Sequence, residues 1–177
     1  MRKRWNVWSL AGFLTVSLLG TLAHFAYEWS GGSLLAGAFC AVNESTWEHM
    51  KLLFFPVLLF TVFQLSASGE HDGALPAVRA VGVTAGLLLI PVLYYTYTGI
   101  LGSHVMWADI AVFYLAAAAV FWLDDRLRRR VRLWKPWQQA AGLLWLWLLA
   151  FLFVWWTFQP PRIGLFLDPV TGRYGIS

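Results

Sequence analysis

The sequence predicts an all-α fold, namely a polytopic membrane helix bundle with five transmembrane helices. Of its 177 residues, 59% are hydrophobic and only 12% are charged, and twelve are tryptophan. A soluble domain of this size cannot bury so much apolar surface, which excludes a soluble globular protein. The apolar residues also occur in stretches of about twenty, the length that an α-helix needs to cross the hydrocarbon of a bilayer.

The predicted elements follow from these stretches in chain order. The first stretch comes after a basic N-terminus and is longer than a typical signal-peptide core, so we interpret it as a retained span. After it, residues 33–41 are apolar but too few to cross, and they predict a short re-entrant or interfacial helix. Four more stretches complete a transmembrane domain, residues 1–158. The predicted spans are 6–27, 46–68, 76–99, 104–123 and 137–158.

The remaining segment, 159–177, is a predicted tail on the side of the membrane opposite the N-terminus. The pairs Asp168-Pro169 and Thr171-Gly172 have turn chemistry and lie between short β-prone runs, so a small hairpin-like structure is expected. Five spans place this tail on the same side as the polar residues described below. Two roles for the tail stay open: it caps these residues, with Arg162 or Asp168 reaching inward, or it is a simple surface appendage.

The basic residues are distributed asymmetrically, and their distribution predicts the orientation. Ten of the thirteen lie on the side of the N-terminus, while Arg162 and Arg173 lie opposite and Lys51 lies inside the second span. Cytoplasmic loops carry the excess of Lys and Arg, so we expect a cytoplasmic N-terminus and an extracytoplasmic C-terminus. The run RLRRRVRLWK is interpreted as a topology determinant that contacts the lipid bilayer. We expect no nucleic acid as a partner. The ten residues are Arg2, Lys3, Arg4, Arg79, Arg126, Arg128, Arg129, Arg130, Arg132 and Lys135.

Polar residues at membrane depth collect on the predicted extracytoplasmic side. An ionisable group within a span costs about 2.5–3.5 kcal/mol on insertion scales, so several at one depth must face one another or water. We therefore predict a polar cavity that faces outward. Its residues are His24 and Glu28 at the end of the first span, Asn43, Glu44, Ser45, Glu48, His49 and Lys51 around the start of the second, Tyr95 in the third, and His104 and Asp109 in the fourth.

Spacing adds detail at the start of the second span. Ser45 and Glu48, three residues apart, form a capping-box pattern that predicts a helix beginning at about Thr46. Glu44 and Glu48 are four residues apart and Lys51 follows three later, so these side chains share one helix face. The capping box accounts for the serine and one glutamate, and it leaves the lysine unexplained.

Three imidazoles from three spans, with carboxylates nearby, suit a divalent metal, which is predicted to be zinc, with manganese or iron as alternatives. The predicted ligands are His24, His49, His104 and Asp109. Glu48 or Glu44 is the predicted general base, and Lys51 would stabilise developing negative charge. Supporting contacts to the ligands or to a bound molecule are assigned to Glu28, Asn43, Ser45, Tyr95, Arg162 and Asp168. The alternative interpretation is a hydrogen-bonded network that only fixes helix packing.

Three motifs resemble those of an uncharacterised family of small bacterial polytopic membrane proteins, a domain of unknown function. They are H-x-x-x-E-W at His24–Trp29, N-E-S-x-W-E-H-x-K-L-L-F-F-P at Asn43–Pro56 and L-F-x-D-P-x-T-G-x-Y-G-I at Leu165–Ile176. The resemblance implies a five-span protein of the bacterial inner membrane, and it implies no activity. The site chemistry is also similar to that of intramembrane hydrolases related to alkaline ceramidases, although their paired H-x-x-x-H is missing here.

The sequence leaves three functions open. The leading hypothesis is an intramembrane metal-dependent hydrolase of a lipid or another amphiphile that enters from the outer leaflet, with metal-bound water as nucleophile. The second is a non-catalytic module that binds or transports a small molecule or a cation, which the excess of carboxylates favours. The third is a structural or regulatory membrane subunit whose polar residues form an internal network.

Overall fold

In the computed structural model, six α-helices account for most of the residues described, which are 7–68, 74–130 and 135–176. Five of these helices are long and apolar enough to cross a membrane, and only the second is short. The predicted all-α fold class, with five long apolar helices, is confirmed. The helices are α1 Val7–Trp29, α2 Leu34–Phe39, α3 Thr46–Ser68, α4 Leu75–Leu101, α5 Met106–Arg130 and α6 Pro136–Phe158.

The helix boundaries have local causes. α3 begins at Thr46, as the capping-box pattern predicts, and the Glu48 N–H donates to the Ser45 hydroxyl over 3.3 Å. α4 has a proline in its first turn, where a missing backbone N–H leaves no helical hydrogen bond unmade. It ends at Gly102, whose φ of 74° lies in the left-handed region that glycine adopts without strain.

The long helices alternate in direction along the chain, which gives the bundle two polar ends. α1 meets α3 at Gly12 against Phe60 and again at Gly20 against Leu52, so the two helices are antiparallel. We call one end the histidine end; it carries His24, His49 and His104. The opposite end, the arginine end, carries Arg79, Arg126, Arg128 and Arg129.

Small residues allow close contacts between helices, which is how membrane bundles pack in the absence of a hydrophobic driving force between helices. A Cβ added to Gly86 of α4 would lie 2.6 Å from the Val120 side chain of α5, and one added to Gly142 of α6 would lie 2.7 Å from the Ala77 backbone of α4. Long apolar side chains such as Leu88 lie exposed on the outer surface. This arrangement suits a lipid environment.

α5 continues seven residues beyond the predicted fourth span, to Arg130. The extension is stabilised by an ion pair one turn apart, in which the Arg129 guanidinium donates to Asp125 over 2.8 and 3.0 Å. Of the basic residues that predict the orientation, Arg2, Lys3, Arg4 and Arg132 lie outside the described residues.

After α6 the tail packs against the N-terminal end of α3. It contains a short 3-10 helix, Gly164–Phe166, and an antiparallel bridge between Leu167 and Tyr174. Among the described residues there is no β-strand that extends beyond this bridge. The Asp168 carboxylate, only 3% exposed, stabilises the turn by accepting the Val170 N–H over 2.9 Å and the Thr171 hydroxyl over 2.6 Å. Asp168 therefore supports the tail from within.

Candidate functional site

Two imidazoles and a carboxylate converge at the histidine end. His49 Nε2 lies 3.4 Å from one Glu44 oxygen, and His24 Nε2 lies 4.0 Å from the other. One potential ligand atom from each of the three residues lies within 4.8 Å of the other two. We call this group the His-Glu-His cluster. Its side chains are between 32% and 48% exposed, so none of the three is enclosed by protein.

One distance in the cluster matches that of a tetrahedral metal site, while His24 lies further from Glu44, at 4.0 Å. Ligand atoms about 2.0–2.2 Å from a zinc ion are about 3.3 Å apart, close to the distance between His49 and Glu44. The Nδ1 of His49 lies 3.0 Å from the Ser45 carbonyl oxygen, one turn earlier in the chain. If Nδ1 carries the proton and donates it there, Nε2 keeps a lone pair directed at Glu44, which is the arrangement of metal-bound histidines.

Glu44 occupies its place because the loop before α3 is held at two points. The Asn43 side-chain oxygen accepts the Ser45 N–H over 2.9 Å, which forms a tight turn around Glu44. The Asn43 amide nitrogen donates to the Gly175 carbonyl over 2.9 Å, across 132 residues of sequence. The tail thus fixes the loop that presents the exposed carboxylate.

Immediately beneath the cluster lies an ion pair enclosed by protein. Lys51 Nζ is 2.5 Å from a Glu48 oxygen, and the two side chains are 0% and 3% exposed. Lys51 also donates to the Gly37 carbonyl over 2.7 Å and to the Thr157 hydroxyl over 2.8 Å. With three partners, the ammonium is fully satisfied.

Glu48 is satisfied in the same way. One carboxylate oxygen accepts the Val42 N–H over 3.1 Å, and the other lies 3.1 Å from the Thr157 hydroxyl. The side chain therefore does not complete the reciprocal half of the capping box to the Ser45 N–H, which Asn43 accepts instead. Glu48 links α3, the preceding loop and α6, and the sequence analysis missed Thr157 as its partner.

A second group at this end contains the other two predicted ligands. His104 Nδ1 lies 3.5 Å from one Asp109 oxygen, and the Tyr97 hydroxyl donates to the other. The Val105 N–H in turn donates to the Tyr97 hydroxyl over 3.3 Å. Within the part of the chain that the structure describes, His104 and Asp109 do not join the His-Glu-His cluster. The structure thus separates the four predicted ligands into two pairs.

Comparison with known families gives one match. A model described as a family of unknown function, DUF6512, matches residues 1–176. The chain belongs to DUF6512. This agrees with the resemblance that the sequence motifs indicated. Comparison of this DUF6512 chain with curated proteins finds no match, and comparison with solved structures finds none either.

The remaining predicted site residues of this DUF6512 protein are not part of the His-Glu-His cluster as described. Thr46, the first residue of α3, donates to the Tyr95 hydroxyl over 3.5 Å, which joins α3 to α4 at this end. Glu28 lies exposed one turn beyond His24, and Arg162 lies exposed in the tail. Ser45, 1% exposed, caps α3. Of these residues, Ser45 and Tyr95 have structural contacts, and Glu28 and Arg162 lie exposed.

The arginine end holds a second enclosed ion pair, which the sequence analysis missed. Arg79 Nε lies 3.0 Å from an Asp124 oxygen, and these side chains are 1% and 3% exposed. The guanidinium also donates to Gln64 over 2.8 Å and lies over the rings of Phe60 and Phe121, at 5.7 and 4.9 Å from their centroids. Arg79 therefore connects α3, α4 and α5. In the sequence, the position of Arg79 beside a loop indicated only a role in topology. Asp124 directly follows the predicted fourth span, and an acidic residue at that depth could have indicated a partner for Arg79.

Proposed function

We propose that this chain is a multi-pass protein of the bacterial inner membrane that binds a divalent cation at His24, Glu44 and His49 and uses it to hydrolyse a lipid or another amphiphile. The observation that carries the proposal is the convergence of two imidazoles and one carboxylate from two helices and a loop. Zinc is the first candidate, and manganese or iron fit the same donor atoms.

The donor set favours catalysis over a structural metal. Structural zinc sites are closed by four protein ligands, whereas catalytic sites combine three protein ligands, often two histidines and a glutamate, with a water molecule. The three side chains here are partly exposed, which leaves room for that water. His24, Glu44 and His49 would hold the cation, which would supply a nucleophile for an ester or amide carbonyl by lowering the pKa of its bound water to about 7.

Two features support an amphiphilic substrate from the outer leaflet. The basic residues of the arginine end favour the cytoplasmic side for that end, so the histidine end and the tail face outward. Next to His24, the rings of Phe25 and Trp29 stack 5.7 Å apart and are 42% and 68% exposed on the outer surface of α1. A lipid can approach the cluster along them. α2 then lies at the interface on the same side.

The proposal gives Glu48 and Lys51 a supporting role. Both side chains are enclosed by protein and fully hydrogen-bonded, so neither reaches a substrate at the cluster. They fix the first turns of α3, and thereby the position of His49. Glu44 would serve as a ligand of the cation and not as a general base.

Cation binding without hydrolysis is the second candidate function. The exposed carboxylates Glu28 and Glu44 next to the imidazoles attract cations whether or not chemistry follows. Chelator-sensitive hydrolysis of a fluorogenic acyl ester in mixed micelles separates the two candidates. Stoichiometric metal with no turnover of such esters would favour the binding module.

Elemental analysis of the detergent-purified protein tests the metal site directly, with His49→Ala and His104→Ala side by side. We expect about one zinc, manganese or iron per chain in the wild type and in His104→Ala, and none in His49→Ala. Loss of metal from both variants would instead support the four ligands predicted from the sequence, which include His104. Absence of metal from the reconstituted wild type would contradict the proposal. An equal thermal transition temperature in all three proteins is the control that each is folded.

A further inference from the structure

The outer surface of the bundle carries a groove between α4 and α6, about 540 Å³ in volume. Its floor consists of small side chains, among them Ala80 of α4 and Ala141 of α6. Its walls are two indoles, Trp137 and Trp145, and the indole N–H of Trp145 donates to the Thr84 hydroxyl over 2.7 Å. The groove is apolar, concave and lined by side chains held in place.

The groove extends over the depth of one leaflet. α4 and α6 run parallel, because Ala77 contacts Gly142 and Thr84 contacts Trp145 further along both helices. The lining residues of α4 extend from Ala77 to Leu88, which at 1.5 Å per residue is about 16 Å. That is about half of a 30 Å hydrocarbon core. The groove therefore begins at the arginine end and stops near the middle of the bilayer.

The mouth of the groove at the arginine end is electropositive. Among the residues of this end whose side chains are described, five are basic and two are acidic, and both acidic residues are in ion pairs with arginines. The five are Arg79, Arg126, Arg128, Arg129 and Lys135. The N-terminal ends of α4 and α6 also meet here, since the Ala77 N–H donates to Gln139 over 3.1 Å, and neither helix has an acidic residue in its first turn. Both helix dipoles add positive charge.

We propose that this groove binds an anionic phospholipid, with one acyl chain between Trp137 and Trp145 and the headgroup phosphate beside Lys135. The length of the groove fits a chain of one leaflet, and the charge at its mouth fits an anionic headgroup. A second copy of the chain fits poorly, because a two-fold interface would oppose two concave surfaces and leave a void. The site is separate from the His-Glu-His cluster and does not depend on its function.

Native mass spectrometry of the intact protein tests the site, with dioleoyl phosphatidylglycerol and dioleoyl phosphatidylcholine offered together. We expect the wild type to retain phosphatidylglycerol at least fivefold more than phosphatidylcholine. Lys135→Gln should lower that preference about fivefold, since one basic residue near an anionic surface contributes about 1 kcal/mol. Ala141→Trp fills the groove and should abolish retention of both lipids.

Ala111→Trp is the matched control, because Ala111 is likewise an exposed alanine on a spanning helix and lies outside the groove. This variant should retain both lipids as the wild type does. Equal retention of the two lipids by the wild type overturns the headgroup assignment, and unchanged retention by Ala141→Trp overturns the groove. A wild-type dimer that Ala141→Trp dissociates would make a second copy the occupant and also overturn the proposal.

Discussion

At the arginine end, Arg79 and Asp124 lie in contact with almost no exposed surface, enclosed by aromatic rings and a glutamine. At the histidine end, Glu48 and Lys51 are enclosed in the same way, but within one turn of α3 the His-Glu-His cluster lies one-third to one-half exposed. The enclosed pairs have their partners inside the protein. The exposed cluster instead has one potential ligand atom of each residue within 4.8 Å of the other two. Exposure, more than charge, separates supporting residues from candidate functional ones.

The largest effect on stability is expected from replacing one partner of an enclosed ion pair. Arg79→Met leaves the Asp124 carboxylate buried without its charge partner, which typically lowers the free energy of unfolding by about 3–5 kcal/mol. Unfolding by SDS in mixed micelles measures the loss. The double variant Arg79→Met/Asp124→Leu should recover most of it. If the double variant is as unstable as the single one, the pair does not act as a unit.

A smaller effect is expected from Thr157→Val, which keeps the side-chain volume and removes the hydroxyl between Lys51 and Glu48. Hydrogen bonds to charged groups contribute about 1.5–3 kcal/mol, so we expect a loss in that range by the same unfolding measurement. Thr157→Ser retains the hydroxyl and serves as control. If Thr157→Val leaves the free energy of unfolding unchanged, Lys51 and Glu48 have enough hydrogen-bond partners without α6.

The smallest effect on stability is expected at the exposed cluster. Glu44→Gln should change the free energy of unfolding by less than about 0.5 kcal/mol, as is usual for exposed positions, while it removes the anionic ligand and most of the bound metal. Glu28→Gln, an exposed glutamate outside the cluster, is the control. A loss of stability comparable with that of Arg79→Met would show instead that the cluster is a structural network.

The membrane helices could be predicted from sequence because each depends on local composition. Length and hydropathy gave five helices, and the Ser45–Glu48 spacing gave the start of α3 at Thr46. The sequence also predicted that His24 and His49 lie at the same end of the bundle, because the alternating direction of the five spans determines which helix ends are together. These features need no knowledge of how the helices rotate.

The partners within each end could not be predicted in the same way. Whether His49 faces Glu44 or Asp109 depends on the rotation and register of α3 and α5, and helices that are apolar on most faces carry little signal for rotation. Glu44 was expected as a base, yet the Asn43 turn directs it between two imidazoles. Thr157 and Asp124 are separated from their partners by long stretches of sequence, so no local spacing relates them.

The contacts of α6 and the tail also set an order for biosynthesis. Thr157 follows Lys51 by 106 residues, and Gly175 follows Asn43 by 132. At about 5–20 residues per second, the ribosome needs roughly 5–20 s between Lys51 and Thr157. During that interval Glu48 and Lys51 have been made and their hydroxyl partner has not. The loop that presents Glu44 gains its contact with the tail only after Gly175 has been made, so a chain truncated before Gly175 would contain all five long helices and lack the hydrogen bond that holds this loop.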